Sequence, residues 1–366
     1  MAVRPVTLMI NPTIASRLSN HRLYGDPLPG PIEVVAHLGA VQSQDYAAAK
    51  WAIAQRCVDT TDSALDRLFD DGAFLRTHVM RPTWHFVAPE DLRSLLVLTA
   101  PRVHAALAYY NRQYELDAKV LARSHKIIAK ALGEGPRTRH QLAEALRRGG
   151  VDATGVRLAH ILMAAELDAL IVSGPRRGKQ FTYALFDERV PRESLAGRDE
   201  LLGGWVYRYF VAHGPATAAD CAWWLGLTIG DVRAGIEGAG ARLGEERREG
   251  RTYWVDTVPT APKRRRKTEI TAHLLANYDE YVVAYKDRGA IVDPALVKDG
   301  EVAGDTVFAH TILVNGVVVG HWRRALAKQA VRIEKRLFRR LTNEEAKAVH
   351  GAEERYGRFL ERHVER

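Results

Sequence analysis

The sequence predicts an α+β protein in which modules of helices, each ending in a β-hairpin, precede a separate β-rich region. Three observations support this fold class. The middle of the chain carries an internal repeat of helical patterns followed by strand-like runs. The N-terminal region shows a looser version of the same order. After residue 258 the pattern becomes β-rich around an Asn-Gly pair, which is typical of a tight hairpin turn.

The internal repeat begins at two Gly-Pro-x-Thr sequences. Gly135 to Thr138 and Gly214 to Thr217 are each followed by apolar residues at the same helical spacing. Both threonines are expected helix N-caps, because their hydroxyl groups can accept a hydrogen bond from a free N–H of the first turn. A second helical pattern and two β-rich runs complete each copy. This is the order of a winged helix, in which the second helix of the pair usually reads the major groove.

The turn of each predicted hairpin is basic. Arg176, Arg177 and Lys179 surround the first turn, and Arg251 follows the second. Cations at a wing tip suit phosphate contacts, so we predict that these four side chains bind DNA. The alternative is that each copy is a small helical module that makes no DNA contact.

The N-terminal region is interpreted as a third, more elaborate winged helix. Helical patterns cover 14–18, 32–38, 47–55 and 63–69, and strand-like runs cover 74–79 and 83–87. Another helix is expected to begin at Pro89, which acidic residues follow, as is common in a first turn.

A polar stretch between two of these helices is the strongest candidate site. Gln42, Ser43, Gln44 and Asp45 separate two apolar runs. In an extended segment the side chains at i and i+2 point the same way, so two amides on one side can hold a water molecule. Asp45 adds a carboxylate, which either takes part in the chemistry or caps the following helix.

The C-terminal region begins with a basic linker that is either a solvated loop or a phosphate-binding segment. Its five consecutive cations are Lys263, Arg264, Arg265, Arg266 and Lys267. Strand-like patterns follow over 281–285, 290–292 and 306–314, and Asn315-Gly316 is expected to turn the chain into a return strand over 317–322. The remainder, 325–366, is predicted to be helical.

These patterns together predict tandem winged-helix domains followed by a small C-terminal antiparallel β-barrel or sheet and a terminal helix. The expected domains are winged helix 1 with the Gln-Ser-Gln motif (1–120), winged helix 2 (121–195), winged helix 3 (196–258), and the basic linker, β-barrel and C-terminal helix (259–366).

Composition favours a nucleic-acid partner. Lys and Arg number 53 against 44 Asp and Glu, a net charge of +9, which favours a polyanionic ligand over the alternative of a merely basic protein. Cys57 and Cys221 lie far apart with no metal-binding spacing, so we expect small core residues and a reducing compartment. Since no signal peptide or membrane span is evident, a cytoplasmic location is expected.

Several motifs resemble those of the AlkZ/YcaQ-type winged-helix DNA glycosylases of bacteria. They lie at 41–45, 81–87, 90–91, 279–281, 285–288 and 320–324. The resemblance implies tandem winged helices closed by a C-terminal β-barrel, in agreement with the patterns above. It also implies a catalytic Gln-x-Gln or Gln-x-Asp signature, and Gln42-Ser43-Gln44 matches the first branch, which removes bulky N7-alkylguanines and unhooks interstrand crosslinks.

The predicted function is therefore a DNA repair glycosylase that hydrolyses the N-glycosidic bond of N7-alkylated purines. A cationic N7-alkylpurine leaves readily, so the site has to place a water and stabilise an oxocarbenium-like sugar. The predicted catalytic residues are Gln42, Gln44 and Asp45. We expect no metal, no cofactor and no Schiff-base lysine. The resemblance implies a monomer that acts on double-stranded DNA at the nucleoid, without full flipping of a bulky base.

Further DNA contacts are predicted around this site and in the C-terminal region. They are Arg81, His85, Lys263, Arg264, Arg265, Asn315, Arg323 and Arg324. Asn315 is expected at a hairpin tip that enters a groove, and the two arginines after it at phosphates. The alternatives are a structural role for His85 and a hairpin that only closes the barrel.

Two other functions fit the sequence. One is a non-enzymatic winged-helix transcription regulator, in which the two amides would only cap helix ends. The other is a family member that binds damaged DNA without cutting the glycosidic bond. The glutamine pair favours an enzyme over a regulator.

Overall fold

The computed structural model of the protein describes residues 11–248, 250–258, 270–292 and 308–365. Helices and strands alternate along this part of the chain, which confirms the predicted α+β class. The helices are α1 Pro12–Asn20, α2 Pro31–Leu38, α3 Tyr46–Ala54, α4 Asp62–Asp71, α5 Pro89–Gln113, α6 Ala118–Leu132, α7 Arg139–Arg148, α8 Gly155–Leu167, α9 Phe186–Arg189, α10 Arg198–His213, α11 Ala218–Leu225, α12 Ile229–Ala239, α13 Glu280–Val283 and α14 Asn343–Phe359.

The strands form four sheets with the orders β1-β3-β2, β4-β6-β5, β7-β8 and β13-β12-β11-β10-β9. The strands are β1 Val41–Gln42, β2 Leu75–Val79, β3 Arg81–Val87, β4 Arg137–Thr138, β5 Ile171–Arg177, β6 Gln180–Leu185, β7 Leu243–Arg248, β8 Arg251–Asp256, β9 Ala272–Leu274, β10 Thr311–Val314, β11 Val317–Leu326, β12 Ala330–Leu337 and β13 His363–Glu365.

Three groups of helices each lead into an antiparallel hairpin. The groups are α2 to α4 with β2 and β3, α6 to α8 with β5 and β6, and α10 to α12 with β7 and β8. Thr138 and Thr217 are N-caps, as predicted, and each forms a capping box with the residue three positions on. The element order predicted from the repeat is therefore present in the structure.

The C-terminal region is a five-stranded sheet with one helix, and α14 supplies the predicted terminal helix. The Asn315-Gly316 turn between β10 and β11 is confirmed. Among the described strands β9 and β13 are the edges of the sheet, so these strands form an open sheet and do not close into a barrel. The sheet is not purely antiparallel either, because β13 pairs with β12 in parallel.

Two strand predictions near the basic linker were wrong. The segment 281–285 begins in α13, where Asp279 caps the helix by accepting the N–H of Tyr281 at 2.9 Å. A short apolar run is compatible with either a strand or a helix, and here the Asp279 cap favours the helix. The segment 290–292 is a turn, because Ile291 and Val292 donate their N–H groups locally to the carbonyl of Arg288.

The other two errors lie further along the chain. The strand predicted over 306–314 covers only Thr311–Val314, since the chain turns at 308–310, and 306–307 lie outside the described residues. The helix predicted over 325–366 was wrong outside Asn343–Phe359. Before it, β11 continues to Leu326 and β12 pairs with it over seven residue pairs, and after it β13 covers His363–Glu365. Cross-strand pairing outweighs the helix preference of charged residues there.

The N-terminal helices and the C-terminal sheet share one hydrophobic core. The indole N–H of Trp51, on α3, donates to the carbonyl of Leu274 at 2.6 Å. Its ring lies 5.0 Å from that of Tyr356, which also contacts Trp322 of β11. Since α3 directly follows the Gln-Ser-Gln motif, this core fixes the motif relative to the sheet.

Gly226 joins the third helical group to the β2–β3 turn. It ends α11 at φ +66°, and a Cβ placed on it would lie 2.0 Å from the carbonyl oxygen of Met80. The Gly226→Ala variant is therefore expected to lose at least about 2 kcal/mol of unfolding free energy, measured by urea denaturation. Gly204→Ala in α10 is the control, because open space surrounds that position. It should be neutral or stabilising by up to about 1 kcal/mol; equal losses in both variants would contradict the proposed clash.

Candidate active site

The Gln-Ser-Gln motif begins at the end of β1 and is hydrogen-bonded to β3. Gly39 ends α2 at φ +79°, and the chain enters β1, where Gln42 pairs with His85. The N–H of Ser43 then donates to the carbonyl of Trp84 at 2.7 Å. Gln42 ends β1, and the chain bends at Gln44 before α3 begins, so the motif is not helical.

The two glutamine amides are held by different donors from β3. Gln42 is 8% exposed, and its Oε1 accepts a hydrogen bond from Nη2 of Arg81 at 3.2 Å. Gln44 is exposed, and its Oε1 accepts the backbone N–H of Trp84 at 3.3 Å. Because an amide oxygen has two lone pairs, each Oε1 keeps one acceptor position after these bonds.

The backbone of the motif is held by Arg76 on β2. No sequence motif indicated a role for this arginine. Its guanidinium donates to the carbonyls of Ser43 at 3.0 Å and Gln44 at 3.4 Å. It also lies over the rings of Trp84 and Phe181. Arg76 thus joins the motif to the first and second hairpins.

Glu280, on α13, holds the motif from the other end of the chain. One carboxylate oxygen accepts the N–H of Gln42 at 2.7 Å, and the other accepts the indole N–H of Trp224 at 2.8 Å. Glu280 is fully buried, and burial raises its pKa to about 7. Glu280 lies within one of the motifs of the family resemblance, 279–281, yet no sequence signal indicated its contact with Gln42.

Arg81 and His85, both predicted to bind DNA, form hydrogen bonds within the protein at this site. Besides Gln42, Arg81 donates to the carbonyls of Trp223 and Trp224 at 3.2 and 2.8 Å. His85 is fully buried, with Nδ1 3.0 Å from the carbonyl of Thr83 and Nε2 3.4 Å from Arg81. Burial lowers its pKa well below the usual value, so the ring is neutral here.

Asp45 is the N-cap of α3, because its Oδ1 accepts the N–H of Ala48 at 3.0 Å. Of the two roles left open for this carboxylate, the cap is the one that the geometry shows. The side chain is half-buried, and its charge raises the pKa of Arg76, which holds the motif, against the larger effect of burial.

A cleft of about 620 Å³ lies in the C-terminal sheet, and its lining includes His310, Trp322, Arg323 and Lys335. The His310 ring stacks on Trp322 at 4.8 Å, and its Nδ1 accepts the N–H of Asn277. Burial lowers the pKa of His310 to about 4, while the charge of Asp45 acts in the opposite direction. The cleft is therefore within electrostatic range of the motif.

The basic residues predicted at the wing tips differ in their surroundings. Arg176 forms ion pairs of 2.9 Å with both Asp66 and Asp70, so it joins β5 to α4. Arg177 is exposed and donates to the carbonyl of Pro136. Lys179 is exposed at the tip, and Arg251 is paired with Asp287.

The hairpin turn at Asn315, which was predicted to enter a DNA groove, packs against the N-terminal helix α1. The next residue, Gly316, packs against Ile14 of α1, and its carbonyl accepts the hydroxyl of Tyr281 at 3.1 Å. Arg324 donates to the Tyr356 hydroxyl at 2.6 Å, whereas Arg323 is exposed at the cleft. The predicted contacts Lys263, Arg264 and Arg265 lie outside the described residues.

Cys57 and Cys221 are buried, as expected, and neither forms a disulfide. Burial raises the pKa of the Cys57 thiol to about 12, so it is no nucleophile. In the described part of the chain, no three His, Cys, Asp or Glu side chains come together as a metal site. None of the helices that the structure describes is long and apolar enough to cross a membrane.

Comparison with known proteins places the chain in a family. A profile of the AlkZ-like DNA glycosylases matches residues 35–359, so the chain belongs to this family. The predicted class of enzyme, a DNA glycosylase that hydrolyses N-glycosyl bonds, is confirmed at this level.

Two comparisons give particular relatives, both from Streptomyces sahachiroi. The interstrand DNA cross-link repair glycosylase of that organism is 24% identical over 313 residues, covering 75% of this chain and 81% of the relative. The solved structure of its DNA glycosylase AlkZ superposes with a TM-score of 0.75 at 21% identity, covering 96% of this chain and 98% of that one. At this identity the superposition establishes the fold.

Proposed function

We propose that the protein is a DNA repair glycosylase that removes N7-alkylated purines from double-stranded DNA, including purines joined in interstrand crosslinks. The observation that carries the proposal is the pair of side-chain amides of Gln42 and Gln44 in one short non-helical segment between β1 and α3. Each amide oxygen is oriented by a fixed donor and keeps a free lone pair. The cross-link repair glycosylase to which the chain is similar supports the choice of substrate.

In the proposed mechanism, Gln42 and Gln44 accept the two protons of a water molecule and aim its oxygen at the anomeric carbon. As the glycosidic bond breaks, the base departs with the bonding electrons and becomes a neutral N7-alkylpurine. The water then adds to the oxocarbenium-like sugar and loses a proton to solvent. Amide oxygens carry partial negative charge, which stabilises the cationic sugar without the need for a strong base. Asp45 adds negative charge beside Gln44.

We also propose that the three helix-plus-hairpin groups are tandem winged helices that hold the duplex. The domain bounds are 1–120, 121–195, 196–258 and 259–366. Among the described residues of the predicted DNA contacts, the exposed cations are Arg177, Lys179, Arg251 and Arg323. Arg251 is paired with Asp287, so the other three are the proposed phosphate ligands. We further propose that the protein acts as a monomer at the nucleoid and that it does not fully flip a bulky base.

The experiment uses two duplex oligonucleotides, one with a single 7-methylguanine and one with a nitrogen-mustard interstrand crosslink. Each is incubated with the protein and then heated in alkali, which cuts the strand at abasic sites. We expect strand cutting of both duplexes and none of an undamaged duplex of the same sequence. Binding of the damaged duplex without an abasic product would contradict the proposed activity and favour a damage-binding or regulatory protein.

A further inference from the structure

Gln42 is held by a buried carboxylate that lies 238 residues away in the chain. The N–H of Gln42 and the indole N–H of Trp224 donate to the two oxygens of Glu280, at 2.7 and 2.8 Å. The hydrogen bond to Gln42 fixes the peptide plane that comes immediately before its side chain. Glu280 therefore acts on the backbone of the residue whose amide is proposed to hold the water.

Glu280 also faces the arginine that orients the Gln42 side chain. Arg81 attracts Glu280 electrostatically, and the charge of Glu280 favours the cationic form of Arg81 in turn. The neighbouring acid, Asp279, is committed elsewhere, because it forms a buried ion pair with Arg56 at 2.6 Å. Without Glu280, the positive charge of Arg81 beside Gln42 would oppose both a cationic lesion and an oxocarbenium-like sugar.

We infer that Glu280 is a positioning residue for base release, which holds the Gln42 backbone and balances the charge of Arg81. This inference rests on the proposed function, in which Gln42 orients the attacking water. Glu280 is fully buried and therefore acts through Gln42 and Arg81 rather than on the DNA.

The ionised form of Glu280 is the one that fits its surroundings. Both groups facing its oxygens are N–H donors, so a protonated carboxyl would set its own O–H against one of them. Burial raises the pKa to about 7, against the opposing effects of Gln42, Trp224 and Arg81. Since the ionised form is needed, the rate is expected to fall as the pH drops through about 7.

The other described titratable groups around Glu280 do not account for a fall in rate near pH 7. Burial lowers the pKa of His213, which packs on Trp224, to about 3, and that of His85, beside Arg81, well below its usual value. Burial raises the pKa of Tyr285, on the same segment, far above neutrality. Asp279 is held in its ion pair with Arg56.

The test compares Glu280→Gln with wild type in single-turnover release of 7-methylguanine, at saturating enzyme. We expect a rate about 10- to 100-fold lower, because a displaced catalytic group loses that much, with an unchanged Kd for the duplex. The acid limb near pH 7 in the wild-type profile should be absent from the variant. Glu345→Gln is the matched control, since Glu345, in the first turn of α14, is also buried and forms an ion pair with Arg339. The Glu345→Gln variant should keep the wild-type rate and the wild-type pH profile.

A second measurement does not depend on activity. Amide hydrogen exchange at Gln42, followed by NMR, should show protection in wild type and in Glu345→Gln, and loss of protection in Glu280→Gln. Unchanged protection in Glu280→Gln, or a rate loss that only follows a weaker Kd and lower stability, would overturn the inference. If the wild type releases no base, the proposed function fails, while the exchange data still decide whether Glu280 holds Gln42.

Discussion

Replacing Gln42 with alanine is expected to lower the rate of base release about 100- to 1000-fold, the range found when one preorganised polar group of an active site is removed. The variant loses the amide that Arg81 orients, and with it one of the two acceptors for the proposed water. Gln44→Ala should show the same kind of loss, because the second amide completes the water site. The measurement is single-turnover release of 7-methylguanine from a duplex, scored as alkali-labile strand breaks.

DNA affinity separates this effect from a loss of binding. Because Gln42 is buried, the Kd of Gln42→Ala for the damaged duplex is expected to stay near that of wild type. Gln113→Ala, an exposed glutamine at the end of α5, serves as the control and should keep the wild-type rate. Wild-type rates in Gln42→Ala would exclude the proposed role of the amide pair.

Replacing Asp279 with alanine is expected to lower the free energy of unfolding by about 3–5 kcal/mol, as is usual when one partner of a buried ion pair is removed. Arg56 and Asp279 are both completely buried and meet through two hydrogen bonds of 3.0 and 2.6 Å. Asp279 also caps α13, which carries Glu280. The variant leaves the Arg56 guanidinium charged without its counter-ion inside the protein.

Urea denaturation followed by circular dichroism measures this loss. Arg192→Ala is the control, because the pair of Arg192 with Asp187 is 76% and 45% exposed. That variant should lose no more than about 0.5 kcal/mol. The double variant Arg56→Met with Asp279→Leu should regain part of the loss, since apolar side chains satisfy a buried site once both charges are gone. Equal unfolding midpoints for Asp279→Ala and Arg192→Ala would refute the assignment.

The sequence predicted those features that depend on neighbouring residues. Thr138 and Thr217 were identifiable as N-caps, and Asn315-Gly316 as a hairpin turn, because each has a local signal in the chain. The non-helical Gln-Ser-Gln segment was also predictable, since it is a polar interruption between two helical patterns.

Features that depend on distant contacts were not predictable in this way. The charged strand β12 resembles a helix until its pairing with β11 is known. Arg81 has the appearance of a DNA ligand, yet its guanidinium is used by Gln42 and two tryptophan carbonyls. The contact between Glu280 and Gln42 spans most of the chain, and no spacing rule joins them.

That long-range contact has a consequence for the order in which the protein is made. During synthesis the glutamine motif and all three helix-plus-hairpin groups leave the ribosome before Glu280 does. In a nascent chain the surfaces proposed to hold DNA are therefore made before Glu280, which holds the backbone of the proposed water site. Fragments that end before α13 lack the acceptor for the Gln42 N–H, so the proposed water site is anchored only after Glu280 has been made.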